Sequence, residues 1–229
     1  MIVRPLLFVV LLICSSVATS AEGPRFALTR ADRLEYHSAE DLAVWELQGF
    51  YGGDLHKVWW KAEGDAGAGA SDESSFQLLY SRAVSAYFDV QAGAAFEDHI
   101  TDNDLAVVVG LAGVMPYHIE IDAAVFLTDH GDLLFRGEME REILLSQRLL
   151  LLPRIRLHAS LQDIADRQTD RGINDAAIEL RLGYKAHHKI VPYVGVSWQR
   201  TYGSAGRALR DAGEDDSVTS LIAGVRFWF

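Results

Sequence analysis

Between residues 132 and 145 the charged side chains Arg136, Glu138, Glu140 and Glu142 stand two apart. On an extended chain that spacing puts all four on one face. Flanking stretches add Glu120 and Asp122 on one side and Arg154 and Arg156 on the other, with His118 and His158 in the same alternating sets. Carboxylate and imidazole ligands together suit borderline metals such as Cu(II) or Zn. The candidate metal ligands are therefore His118, Glu120, Asp122, Glu138, Glu140 and His158. The same arrangement, an acidic row facing a basic one, equally suits cross-strand ion pairs that stiffen a wall.

A second group sits in polar segments. His99 lies in "EDHITDND" beside Asp98 and Asp102, and His130 in "TDHGD" beside Asp129 and Asp132. His99, Asp129 and His130 are secondary metal candidates, and the alternative is a pair of solvated acidic loops. Asp98, His99, Asp129 and His130 could also support acid–base chemistry, but no serine nucleophile is placed by a recognisable motif. His187 and His188 are adjacent in a turn, and Met115 and Met139 are too few for a thioether site.

These residues must be positioned by strands. Alternation with period two recurs along nearly the whole chain and predicts twelve strands: near 26–36, 40–50, 54–63, 74–83, 86–97, 103–113, 117–128, 132–145, 148–162, 173–186, 190–201 and 217–229. Tight connections such as 51–55, 83–86, 114–116, 145–148 and 186–189 alternate with longer polar ones at 64–74, 97–103, 163–172 and 200–217. Sorting of that kind fits an all-β, closed antiparallel transmembrane barrel with both termini periplasmic. A sandwich has no reason for it. A basic residue facing lipid at the midplane costs about 2–4 kcal/mol, so Ile119, Ile121, Ala123 and Val125 should face out, and His118, Glu120 and Asp122 in. Aromatics near strand ends (Tyr117, Tyr193, Trp198, Tyr202, Phe227 and Phe229) should form interface girdles. Pro153, lying mid-strand, calls for a bulge.

The first 21 residues read as a secretory signal peptide: Arg4, an apolar run from Leu6 to Cys14, and small residues with Thr19 and Ala21 placed for cleavage. The expected mature barrel is 22–229. Without Arg4 it carries 20 basic and 32 acidic residues, a net charge of −12, which excludes a nucleic-acid partner. Cys14 is the only cysteine and leaves with the leader, so neither disulfides nor thiolate ligands contribute. A strictly alternating end, "LIAGVRFWF", predicts that the last strand closes on the first with its outward side chains against lipid.

The segments "ADRLEYHSAEDLAVWELQGFYGGDLHKVWWKAEGD" (31–65), "LLYSRAVSAYFDVQAG" (78–93), "MPYHIEIDAAVFLTDHGDL" (115–133) and "LSQRLLLLPRIRL" (145–157), with the final "RFWF", together resemble the copper resistance protein B family. The resemblance covers almost all of residues 22–229. It implies an outer-membrane barrel in copper homeostasis, non-enzymatic, binding copper ions and working among outer-membrane lipids with periplasmic copper proteins. Family members often carry a Met/His-rich segment ahead of the barrel, and here "EGPRFALTRA" fills that space, which shifts the expected function onto the barrel itself. The competing readings are an outer-membrane enzyme, such as a lipid A hydrolase or surface protease, and a structural or small-solute barrel plugged by ion pairs.

Overall fold

The computed structural model describes residues 24–67, 73–98, 103–164 and 169–229. The expected leader, 1–21, lies outside them. Alternating apolar and polar side chains make strands of β1 (Phe26–His37), β2 (Leu42–Gly52), β3 (His56–Gly67), β4 (Glu73–Ala83), β5 (Phe88–Asp98), β6 (Asn103–Met115) and β7 (Ile119–Thr128). They continue as β8 (Leu133–Arg141) with its short extension β9 (Ile143–Leu144), then β10 (Leu149–Ser160), β11 (Gly172–Tyr184), β12 (Ile190–Thr201) and β13 (Ser217–Trp228). Each pairs antiparallel with its neighbours, β10 pairs with β11, and β13 pairs with β1. With β8 and β9 counted as one, twelve strands close into a barrel. Among the described residues no helix is long and apolar enough to cross a membrane; closure of the ring leaves the strands without an open edge.

Closure reaches the last residue. Phe229 N–H donates to Thr29 O at 3.0 Å, and Thr29 N–H donates back at 3.2 Å. One end of the barrel therefore carries the start of β1 and the last residue together with the turns at 53–55, 84–87, 116–118, 145–148 and 185–189. The other is the loop end. Two of its connections, 38–41 and 129–132, are as tight as those opposite. The stretch 200–217, expected as a loop, contains helix α1 (Gly203–Asp211). Ala205, Ala208, Leu209 and two arginines favour it. The chain leaves it through Gly213 in left-handed geometry (φ 81°), with Glu214 N–H bonded back to Leu209 O.

The outward sets are apolar, as the alternation predicts: Leu105, Val107, Val194 and Leu221 are exposed on the outer face. The inward sets are less uniform. Leu150, Leu152 and Val191 pack with Trp228 inside the terminal end, and Leu79, Ala95, Val108 and Phe126 make a second interior apolar cluster. Twelve strands enclose a narrow space, so large side chains fill parts of it outright. Tyr193, expected at an interface girdle, is one of them. It is 4% exposed and its hydroxyl donates to Glu35 at 2.9 Å.

Pro153 is accommodated without the expected bulge. Leu151 pairs with Ile143 and Arg154 with Glu140 in unchanged register, while the ladder between them lapses at Glu142. An interruption on the neighbour serves a missing N–H as well as an extra residue would. The bulges lie elsewhere: on β11, where Asn174 is the extra residue opposite His158 and Ala159, and on β1 between Ala31 and Leu34.

Candidate functional site

The β1 bulge organises the interior. Ala31 pairs with Leu47 and Arg33 with Glu46, so Asp32 is the extra residue. A bulge shifts which side chains face in. Here Asp32 and Arg33 are both 3% exposed, and Glu35 and His37 follow them inward. The two adjacent charges in "ADRLEYH" were the sequence signal for this device, because strict alternation cannot turn both the same way.

Around these residues the ion pairs reach across the lumen rather than along one wall. Arg33 holds Glu46 at 2.7 Å, and Arg154 on β10 holds the same Glu46 at 3.0 Å while also pairing with Glu138. Glu46 and Arg154 stand on strands five places apart in the ring of twelve. Arg181 makes two bonds of 3.0 Å to Glu35 and one of 2.8 Å to Glu179. Arg226 on β13 pairs with Glu140 and lies 3.6 Å from Asp32, which also binds Arg30 at 2.6 Å. Planar guanidinium forks serve several carboxylates at once, as a buried charge requires.

Beside this packed net runs a cavity of about 1140 Å³. Its lining extends from Ala86 and Tyr87 at the terminal end to Glu73, Asp98 and Thr201 at the loop end. Lys57 pairs with Asp89 at 2.9 Å, Lys61 with Asp122, and Arg136 with Glu63 and Glu97. The Arg136 guanidinium also covers the Phe126 ring, 4.6 Å from its centre.

The six lumen candidates do not converge. His118 is off the wall altogether: β7 begins at Ile119, and His118 is exposed in the 116–118 turn with φ 58°. The turn opened by Pro116 delays the start of β7 to Ile119, two residues later than alternation suggested. Glu120 pairs in register with Glu140 and Asp122 with Glu138. His158 lies in the row of Arg136, nearer the loop end, 3.8 Å from Asp175. Glu138, Glu140 and Asp122 are each engaged by a cation, Arg154, Arg226 and Lys61 respectively. Glu142, expected to point in, pairs at the exposed terminal rim with Lys185 at 3.1 Å.

The secondary candidates fare differently. Asp129 and His130 occupy the β7–β8 turn, and His130 Nδ1 stands 3.1 Å from Asp129 Oδ1 and 3.3 Å from Asp104 Oδ1. One ligand atom from each of the three lies within 4.8 Å of the others, the one such metal-capable group among the described residues. Asp104, at the start of β6, is fully buried, whereas Asp129 and His130 are exposed. Backbone bonds fix the turn: Asp129 N–H to Leu105 O at 2.8 Å, and Gly131, at φ 87°, through its N–H to Thr128 O at 3.0 Å. Gln162 ties it to the next loop through Gly131 O and Asp132. One nitrogen and two carboxylate oxygens match a borderline divalent metal, with further positions open. Asp104 was not foreseen, because only strand pairing carries β6 to the turn after β7. His99 lies outside the described residues.

At the same end Asp216 anchors α1. Its partial desolvation pushes the carboxyl up, but bonds from Arg210 and from Arg200, the latter at 3.2 Å, outweigh that and hold it below its ordinary value.

Solved structures similar to this chain include the KdgM porin, with a TM-score of 0.53, 12% identity and cover of 89% of this chain and 99% of that one. The NanC porin gives a TM-score of 0.57, 14% identity and cover of 88% and 99%. At such identities the likeness concerns the porin-type barrel alone. Copper resistance protein B of Escherichia coli is 30% identical over 204 residues, 88% of this chain and 69% of the relative. A copper resistance protein B homolog of Pseudomonas syringae pv. tomato is 32% identical over 201 residues, 87% of this chain and 68% of the relative. These relatives and the barrel likeness support a non-enzymatic barrel protein with a role in copper resistance. The family model described as copper resistance protein B precursor (CopB) matches residues 25–229, and the chain belongs to that family.

Proposed function

We propose that this barrel resides in the outer membrane, takes up copper ions at its loop end and hands them through or into its charged lumen. The observation that carries the reading is the convergence of Asp104, Asp129 and His130 at the mouth of the barrel in a member of the copper resistance protein B family. Two carboxylates and an imidazole favour Cu(II) over the alkaline-earth ions. In this reading residues 1–21 direct export and are removed, the loop end faces outward, and bilayer lipids cover the apolar outer face. The terminal end, with His118 and the adjacent rings of His187 and His188 (3.9 Å apart), then faces periplasmic copper proteins.

The lumen carboxylates and His158 enter this reading as a relay of weaker contacts and not as one coordination sphere. Cu(II) titration of the purified barrel in detergent, followed by electron paramagnetic resonance, tests it. A nitrogen- and oxygen-ligated signal is expected, and H130A together with D129N should abolish it. Cells producing the double variant should lose copper tolerance relative to wild type. Absence of the signal from the wild-type barrel, with tolerance unchanged by gene deletion, would overturn the proposal.

A further inference from the structure

The charges lining the cavity are unevenly distributed. Fourteen carboxylates face eight lysines and arginines along its length. On the wall formed by β8, β10 to β13, β1 and β2, including the 38–41 turn, the two kinds are equal, six against six. The whole excess lies on β3 to β7, where eight carboxylates face two lysines, Lys57 and Lys61. Arg136 leans over from β8 to engage Glu63 and Glu97, which still leaves that wall strongly negative. Acidic side chains at both ends belong to it, from Asp89 and Glu120 near the terminal end to Glu73 and Asp98 at the loop end. Carboxylate-lined walls select cations, and low-dielectric surroundings focus their field along the cavity.

The balanced wall is pinned by two nearly inaccessible arginines, Arg33 and Arg154, 3% and 2% exposed. The acidic wall is braced differently. Lys61 on β3 spans four strands to Asp122 on β7, and the two side chains remain 19% and 42% exposed. A single ammonium on a flexible stem, reached by water, holds its partner weakly. Lys61 is thus a partly hydrated positive charge that reaches across the acidic wall from its first strand to its last.

We propose that the cavity is a cation-selective conduit running along the β3–β7 wall, with Glu120 and Asp122 setting the preference and Lys61 limiting it. The inference deepens the reading of copper passage, but it concerns small cations in general and is tested without copper, so the two can fail separately. The processed barrel reconstituted in planar bilayers under a KCl gradient should show a reversal potential of the sign given by potassium permeation. K61Q should move that potential further toward the potassium limit and raise conductance. E120Q with D122N should move it toward zero. E120Q alone, at an exposed position, gives the same direction if the double variant does not assemble. A chloride-preferring or unselective wild-type reversal potential would overturn the proposal. So would silence of both wild type and K61Q, or an unshifted potential in the carboxylate variants.

Discussion

The two halves of the lumen use the same kinds of charge and get different results. Across β10 to β2, the most buried arginines share carboxylates that accept from two residues, as Glu35 does from Arg181 and Tyr193 and Glu46 from Arg33 and Arg154. Across β3 to β7, each lysine holds one carboxylate, and these side chains stay 19–42% exposed beside an open cavity. The first half behaves as a core that happens to be ionic. The second behaves as a surface folded inward. Burial decides which: an interior charge that loses its partner has no water to fall back on, whereas a hydrated one does.

The strongest way to break this comparison is R154M, which strips Glu138 of its arginine and leaves Glu46 to Arg33 alone inside the packed half. It should cost about 3–5 kcal/mol, visible as a large drop in the temperature at which the folded band is lost on semi-native gel electrophoresis. An unchanged transition would mean that the arginine half is no core at all. Y193F removes one donor from Glu35 and should cost about 1.5–3 kcal/mol by the same assay, the range for hydrogen bonds to charged groups. In the open half K57M, which removes the cation beside Asp89 and leaves it the Ser81 hydroxyl, should cost no more than about 1 kcal/mol; a loss matching that of R154M would erase the distinction. The smallest effect concerns Asp216 outside the barrel wall. A carboxyl held below its ordinary value stabilises its contacts at neutral pH and loses that contribution only as the pH falls through the lowered value. Proteolysis after Arg207 or Arg210 should therefore stay slow through mildly acidic pH and accelerate below the ordinary carboxylate range, with the barrel band intact.

Strand number, closure and the outward apolar band were legible because a lipid-facing charge is expensive and period two leaves no choice of face. The face of each lumen charge was equally legible where alternation held, as for Arg136, Glu138 and Glu140. It failed at β1, where the bulge turned Asp32 and Arg33 the same way, and at His118, where the turn began first. The rim cluster was half legible: Asp129 and His130 are neighbours in sequence, while Asp104 comes to them only through the pairing of β6 with β7.

The sequence by itself determined the barrel, its polarity and the acidic excess of its charges, since these follow from local periodicity and composition. Tertiary structure alone decided which charges meet. Arg154 and Glu46 are 108 residues apart, and Arg181 and Glu35 are 146 apart. Their pairing depends on ring closure, bulge placement and the narrowness of the lumen, none of which leaves a mark in a single strand.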